Sequence, residues 1–351
     1  MGLCLRMAPF SNSASEASIE QGGSSRMQSD ATAELDRVGR HALAMASAVV
    51  LSLGFATGGS AHAQTSDSST AGSINLGARG NIAAEPPARP APAQAGATSP
   101  FEFSARGGFA TDYIYRGTTL SDHRPAAGAA FEATAFGFFY AAGTIESVKL
   151  PSRPAAEITV GAGIRPKLGN VTFDFGWTRF LYPDESPPPG TFAGIEYWEA
   201  AGRADTKIGE LVRIAGGFAY SPNVSNTGAW SKYAALGLGV DVPHRLLPPE
   251  ISVSMTSVAG YSKFGNQSIE LGGFPLPAYL NWHAGVTFTH KNLNLDLRYY
   301  DTNLSKENCF VLTGDLSATP GGSIDPVRNP EGLRSRWCSA TFVAKFWFAL
   351  N

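Results

Sequence analysis

Residues 171–178 read VTFDFGWT and residues 293–300 read LNLDLRYY, and in both the apolar side chains recur at every second position. Val171, Phe173, Phe175 and Trp177 fall on one side of an extended chain, with Thr172, Asp174, Gly176 and Thr178 on the other, because successive Cβ atoms of a strand point to opposite faces. Leu293, Leu295, Leu297 and Tyr299 likewise oppose Asn294, Asp296, Arg298 and Tyr300, a polar face carrying both signs of charge. Residues 280–289 (LNWHAGVTFT) and 157–165 (EITVGAGIR) repeat the arrangement. Twelve such runs are predicted, at roughly 101–116, 124–135, 137–148, 155–166, 170–181, 192–205, 210–221, 230–242, 248–260, 278–290, 292–303 and 336–349.

The connections alternate in length. Short turns follow the even-numbered runs, around Phe136-Gly137, Lys167 to Gly169, Thr206 to Gly209, Val242 to Leu247 and Lys291. Longer loops follow the odd-numbered ones: Thr118 to His123, Lys149 to Pro154, Tyr182 to Thr191, Ser221 to Ala229, Tyr261 to Pro277 and Leu304 to Ser335. An even strand number with short turns at one end and long loops at the other predicts an all-β fold, a closed antiparallel transmembrane β-barrel of about 12 strands. A secreted β-sandwich is the competing reading, since it too has one apolar face per strand. Three features favour the barrel: long strands, a charged inner face, and aromatics recurring near strand ends as girdles. The aromatics are Tyr113, Tyr115, Tyr182, Trp198, Tyr220, Trp230, Tyr299 and Trp347. Hydrocarbon leaves no partner for an unpaired backbone group, so such a sheet must close.

Composition points the same way. The formal charge is 27 − 29 = −2, which gives no basic excess for nucleic acid. Charged residues make up 16%, against roughly 25% in average soluble domains, while Gly accounts for 39 of 351 residues. Mean hydropathy is −0.07, and one apolar run approaches spanning length, so a multi-helix membrane protein is excluded. That run, residues 42–58, follows Arg37 and Arg40 and leads to an Ala-x-Ala site, reading as a signal peptide cut after Ala63. The expected organisation is therefore 1–63 as either a spurious upstream extension or a long n-region, plus a Sec signal peptide, 64–100 as an Ala/Pro-rich flexible linker, and 101–351 as the barrel. Export leaves Cys309 and Cys338 as an even pair in an oxidising compartment, which predicts one disulfide. It would restrain the longest loop by about 3–4 kcal/mol, and the loop either shields the barrel or folds into its mouth. Two cysteines without a paired histidine are a poor metal site, and no cofactor motif is present.

Residues 103–128, FSARGGFATDYIYRGTTLSDHRPAAG, carry a family pattern. Thr111, Asp112, Tyr113, Arg116, Gly117, Ser121, Asp122, Pro125, Ala126 and Gly128 match the opening strand of the TorF-type porins, Gcw_chp-like bacterial outer-membrane proteins, which this chain resembles. Tyr115 stands for the usual Phe, and Thr119-Leu120 for the usual Ser-Gln. Weaker echoes continue to residue 349. The resemblance implies a Gram-negative outer-membrane barrel with porin activity, assembled by the barrel-assembly machinery and embedded in outer-membrane lipid. By the same analogy a C-terminal strand ends in an aromatic residue; here Leu350-Asn351 follows Phe348.

Phasing the first strand from Phe109 places Asp112 and Arg116 on the inner face near the extracellular mouth. They would form either an electrostatic constriction that orients polar solutes or a clamp that fixes the first loop, with Gly117 permitting a tight bend. The further pore-lining candidates are Glu157, Arg165, Asp174, Arg213, His283, Asp296, Arg298 and Lys345. Their mixed sign argues against a strongly ion-selective ring. His283 faces inward with no G-x-S-x-G element to supply a nucleophile, so no enzyme is expected. The expected function is passive diffusion of small polar solutes without a cofactor. The alternative is a non-conducting structural or adhesive barrel, since twelve strands lie between filled and open cases. No residue marks an oligomer contact.

Overall fold

Period-2 runs bounded by Gly- and Asn-containing turns can close a sheet only if each finds a neighbour on both sides, and they do. The computed structural model describes residues 100–187, 194–318, 327 and 332–350; the expected signal peptide and nearly all of the expected linker lie outside them. Twelve long strands are present: β1 Phe101–Ala110, β2 Ala126–Ala135, β3 Phe139–Glu146, β4 Glu157–Ile164, β5 Val171–Leu181 and β6 Tyr197–Ile208. They continue with β7 Val212–Ser221, β8 Ser231–Asp241, β9 Ile251–Phe264, β10 Tyr279–His290, β11 Leu293–Thr302 and β12 Thr341–Leu350. Each pairs antiparallel with its sequence neighbour, and β12 returns to β1 (Phe109 opposite Phe346, Ala105 opposite Leu350), closing the barrel. A two-residue bridge, Lys167–Leu168 with Val171 and Thr172, extends the β4–β5 hairpin past Pro166, which has no N–H to donate to a ladder. Among the described residues no helix is long and apolar enough to cross a membrane.

The alternation sorts the side chains as expected. Outward positions expose large apolar groups: Phe103 (72%), Phe131, Leu236 (71%) and Phe342. Inward positions bury carboxylates and guanidiniums, including Glu157, Asp296 and Arg298. On β12, Phe342, Ala344, Phe346 and Phe348 face out, and Val343 and Trp347 face in.

Two expectations are corrected. The first strand was expected to run to 116, but it ends at Ala110, and Ile114–Tyr115 and Thr118–Thr119 form a separate small hairpin. The chain reverses at Arg116 and Gly117, both at positive φ (49° and 83°), the twist of a tight hairpin turn. Second, Tyr113, Tyr182 and Trp347 are buried, and Tyr115 reaches a buried carboxylate, so these four do not belong to an outer girdle. Three of them lie on or beside loop segments, where strand phasing no longer holds. Smaller shifts move the end of β9 to Phe264 and the start of β12 to Thr341.

Candidate functional site in the lumen

The short-turn end and the middle of the lumen are held by charges paired to neighbouring strands. Arg165, just past β4, makes a bidentate contact with Glu132 on β2 and donates through Nε to Asp174 on β5 at 3.0 Å. Its guanidinium lies 4.1 Å from the Tyr140 ring centroid, and the Tyr140 hydroxyl donates to Asp174. Arg213 on β7 reaches Asp241 on β8 at 2.7 Å, with Lys207 on the same carboxylate. On β11, Arg298 grips Asp296 through Nε and Nη2 (2.9 and 2.8 Å) and meets His283 Nδ1 at 3.0 Å. Thr287 donates to Asp296, and Lys345 stands opposite Asp296 across the β11–β12 register. All eight wall candidates thus point into the barrel, and most are committed to wall partners.

Asp112 and Arg116 are not on a strand wall at all. The hairpin after β1 dips into the lumen and carries Arg116 across it. Arg116 donates to both oxygens of Glu199 on β6 (2.9 and 2.8 Å), a pair with side-chain exposures of 7% and 2%. Its guanidinium sits 4.3 Å from the Tyr233 ring of β8 and 4.7 Å from its neighbour Tyr115. The Tyr279 hydroxyl of β10 donates to the Arg116 carbonyl. A Cβ at Gly117 would lie 2.4 Å from Thr302 Cγ2, so only glycine fits the tip. Tyr113 and Tyr182 donate to the two oxygens of Glu157 at 2.6 and 2.7 Å.

Asp112 works above this, in a loop lock. It accepts from Thr119 (2.6 Å) and Ser121 (2.9 Å) and meets His123 Nδ1 at 2.7 Å. The other His123 nitrogen faces the Arg336 carbonyl at 2.9 Å. Both neighbours can accept, so this setting favours the imidazolium, in which both ring nitrogens donate. Its pKa is raised, chiefly by the hydrogen bond to Asp112, against the opposing effect of partial burial.

His123 thereby joins the first loop to the loop between β11 and β12. In that loop α1 (Lys306–Thr313), N-capped by Ser305, is tied by the Cys309–Cys338 disulfide to the segment before β12. The Trp337 indole donates to Asp122, and the Thr119 amide to the Trp337 carbonyl. The predicted disulfide is present, and it braces the hairpin. Leu150, Phe180, Tyr182, Tyr197, Trp337 and the disulfide form a small apolar core at this end. Glu199, Tyr233, Tyr279 and His123 were not singled out from the sequence. Alternation puts Glu199 on an inner face, but nothing local marks its partner 83 residues away.

A closed, twelve-stranded antiparallel barrel with a loop hairpin lodged in its lumen is the class of protein this geometry defines. The chain belongs to the Gcw_chp family, described as bacterial proteins of unknown function, whose family model matches residues 94–318. No curated protein matches the sequence. Similar solved structures include the KdgM porin, with TM-score 0.39, 6% identity, and coverage of 71% of this chain and 99% of that one. The NanC porin has TM-score 0.39, 7% identity, and coverage of 71% and 100%. OmpT, an outer membrane protein of Vibrio cholerae, has TM-score 0.32, 8% identity, and coverage of 71% and 97%. Closure of the barrel rests on this chain's own strand pairing.

Proposed function

We propose that the protein resides in the Gram-negative outer membrane and lets small polar solutes diffuse passively through its lumen, weakly selected by size and polarity. The observation that supports this most is the inversion of an ordinary core: large apolar residues face outward and paired charges face inward. A lumen lined by Arg165–Glu132, Arg213–Asp241 and Arg298–Asp296 offers hydrogen-bonding groups of both signs, so neither cations nor anions are strongly excluded. The lodged hairpin narrows the path, which favours small solutes. The protein acts without a cofactor and carries out no catalysis; its lipid neighbours and the assembly machinery are its partners, and nucleic acid is not.

One observation favours a second reading, a non-conducting barrel: Arg116, Glu199 and the surrounding tyrosines occupy the loop end of the lumen. Planar-bilayer recording with the purified protein separates the two. Reproducible single-channel steps are expected, and their absence from a barrel that migrates as folded before boiling would eliminate the pore.

A further inference from the structure

We propose that the lumen wall around Glu199 and Tyr233 is a recognition site for guanidinium-bearing solutes, with Arg116 as its tethered resident, displaced when such a solute enters. The inference rests on the reading above that the lumen admits solutes from water.

Two sides of the site belong to the barrel wall and not to the hairpin. Glu199 projects inward from β6 with 2% exposure and presents both carboxylate oxygens to one planar cation. A fork-shaped guanidinium satisfies that geometry, and a compact ammonium does not. Tyr233 projects from β8, and its hydroxyl contacts Asn281 on β10. It lies over Gly260, where a Cβ would come within 2.2 Å of the Tyr233 oxygen. The ring face is therefore positioned by β8, β9 and β10, whether or not the hairpin is in place. A carboxylate with an aromatic face beside it, both removed from bulk water, selects cations through charge and ring quadrupole together.

A second observation concerns the same end of the lumen. Glu146 and Glu157 face each other directly across the β3–β4 register, each 1% exposed, and Tyr113 of the same hairpin donates to Glu157. These carboxylates place further acceptor oxygens at the loop end of the lumen. The resident is also removable in principle. Its hairpin pairs with no barrel strand but is held by the Asp112–His123 lock and the outer loop, so displacement moves the Arg116 side chain and leaves the hairpin seated.

The test uses purified protein in detergent, titrated calorimetrically with ethylguanidinium and with its neutral isostere ethylurea. Arg116→Ala, shown to be folded by its migration before boiling, is expected to bind ethylguanidinium at least tenfold more tightly than wild type, in which the tether competes. It should not bind ethylurea, and adding Glu199→Gln should abolish the binding. If Arg116→Ala folds poorly, ethylguanidinium added during refolding should raise the yield of the form that migrates as folded before boiling, and ethylurea should not; equal yields would overturn the site. No binding by a folded variant, or equal binding of the urea, overturns the site. Conductance is recorded separately, so binding without current would refute the pore while leaving the site intact.

Discussion

The two ends of the lumen use the same residue types in opposite ways. Arg165 and Arg213 at the short-turn end, and Arg298 at mid-strand, reach carboxylates on their own or nearby strands, within 33 residues of sequence. At the loop end, Arg116 spans the barrel to Glu199, and its hairpin touches residues of β4, β6, β8, β10 and β11. The first set pairs charged groups with carboxylates of the wall itself. The second fills the centre with a guanidinium. The difference shows that a charged inner face does not by itself make a conduit: what matters is whether the countercharge comes from the wall or from a loop.

Breaking the loop end should therefore cost most. Arg116→Ala leaves Glu199 buried without its guanidinium, and a loss of about 3–5 kcal/mol is expected from breaking a buried pair. Denaturant-induced unfolding in detergent measures the loss, and single-channel conductance should rise in the same variant. The matched change Arg165→Ala at the wall, where the side chain is 21% exposed, should leave conductance within about twofold. If the two variants behave alike, the contrast between the ends is wrong.

Replacing Cys309 and Cys338 by serine should cost about 2–4 kcal/mol, because the disulfide closes a separation of 29 residues. The thermal midpoint of the unboiled-to-boiled gel transition, with and without reductant, reports it. A gain in conductance would sharpen the point that the outer loop braces the hairpin. Gly117→Val places a side chain into Thr302 at positive φ and should cost about 1–3 kcal/mol. Its conductance should shift toward that of Arg116→Ala.

The His123 lock should respond to pH. Its folded pKa is raised, so its contribution is complete below the ordinary histidine value of 6.5 and is lost as pH rises through the folded value. Loss of one hydrogen bond to Arg336 corresponds to about 1 kcal/mol. Wild type should therefore lose stability on alkalinisation more than His123→Phe, and superimposable stability profiles from pH 5 to 9 would refute the lock. Smallest of all, Arg179→Ala breaks an outward pair with Glu196 in which both side chains are at least one-third exposed. It should change stability by about 0–1 kcal/mol in the same unfolding assay.

Much of the barrel was legible from alternation. The runs VTFDFGWT and LNLDLRYY lie within β5 and β11, and the inward or outward direction of Asp174, Asp296, Arg298 and Phe342 follows from a period of two that a strand cannot violate. The pairing of Cys309 with Cys338 was legible because the expected signal peptide would carry away Cys4 and leave two cysteines. Tyr113 and Tyr115 were misplaced, and Arg116, expected in the lumen as it is, was put on a strand instead of a hairpin tip, for one reason: phasing was carried past Ala110, where the backbone leaves the sheet and the period ceases to bind. The Arg116-Gly117 turn carried a signal in its glycine, but a turn does not announce the direction in which it points.

Local chemistry thus determined the number of strands, their faces, the alternation of short and long connections and the oxidised cysteine pair, since each depends on residues adjacent in the chain or forced by the strand repeat. Which loop enters the lumen, which carboxylate receives its arginine and which histidine locks it to the disulfide-bearing segment were decided by closure of the barrel. That closure brings Arg116 to Glu199 across 83 residues and His123 to Arg336 across 213, separations over which no sequence period operates.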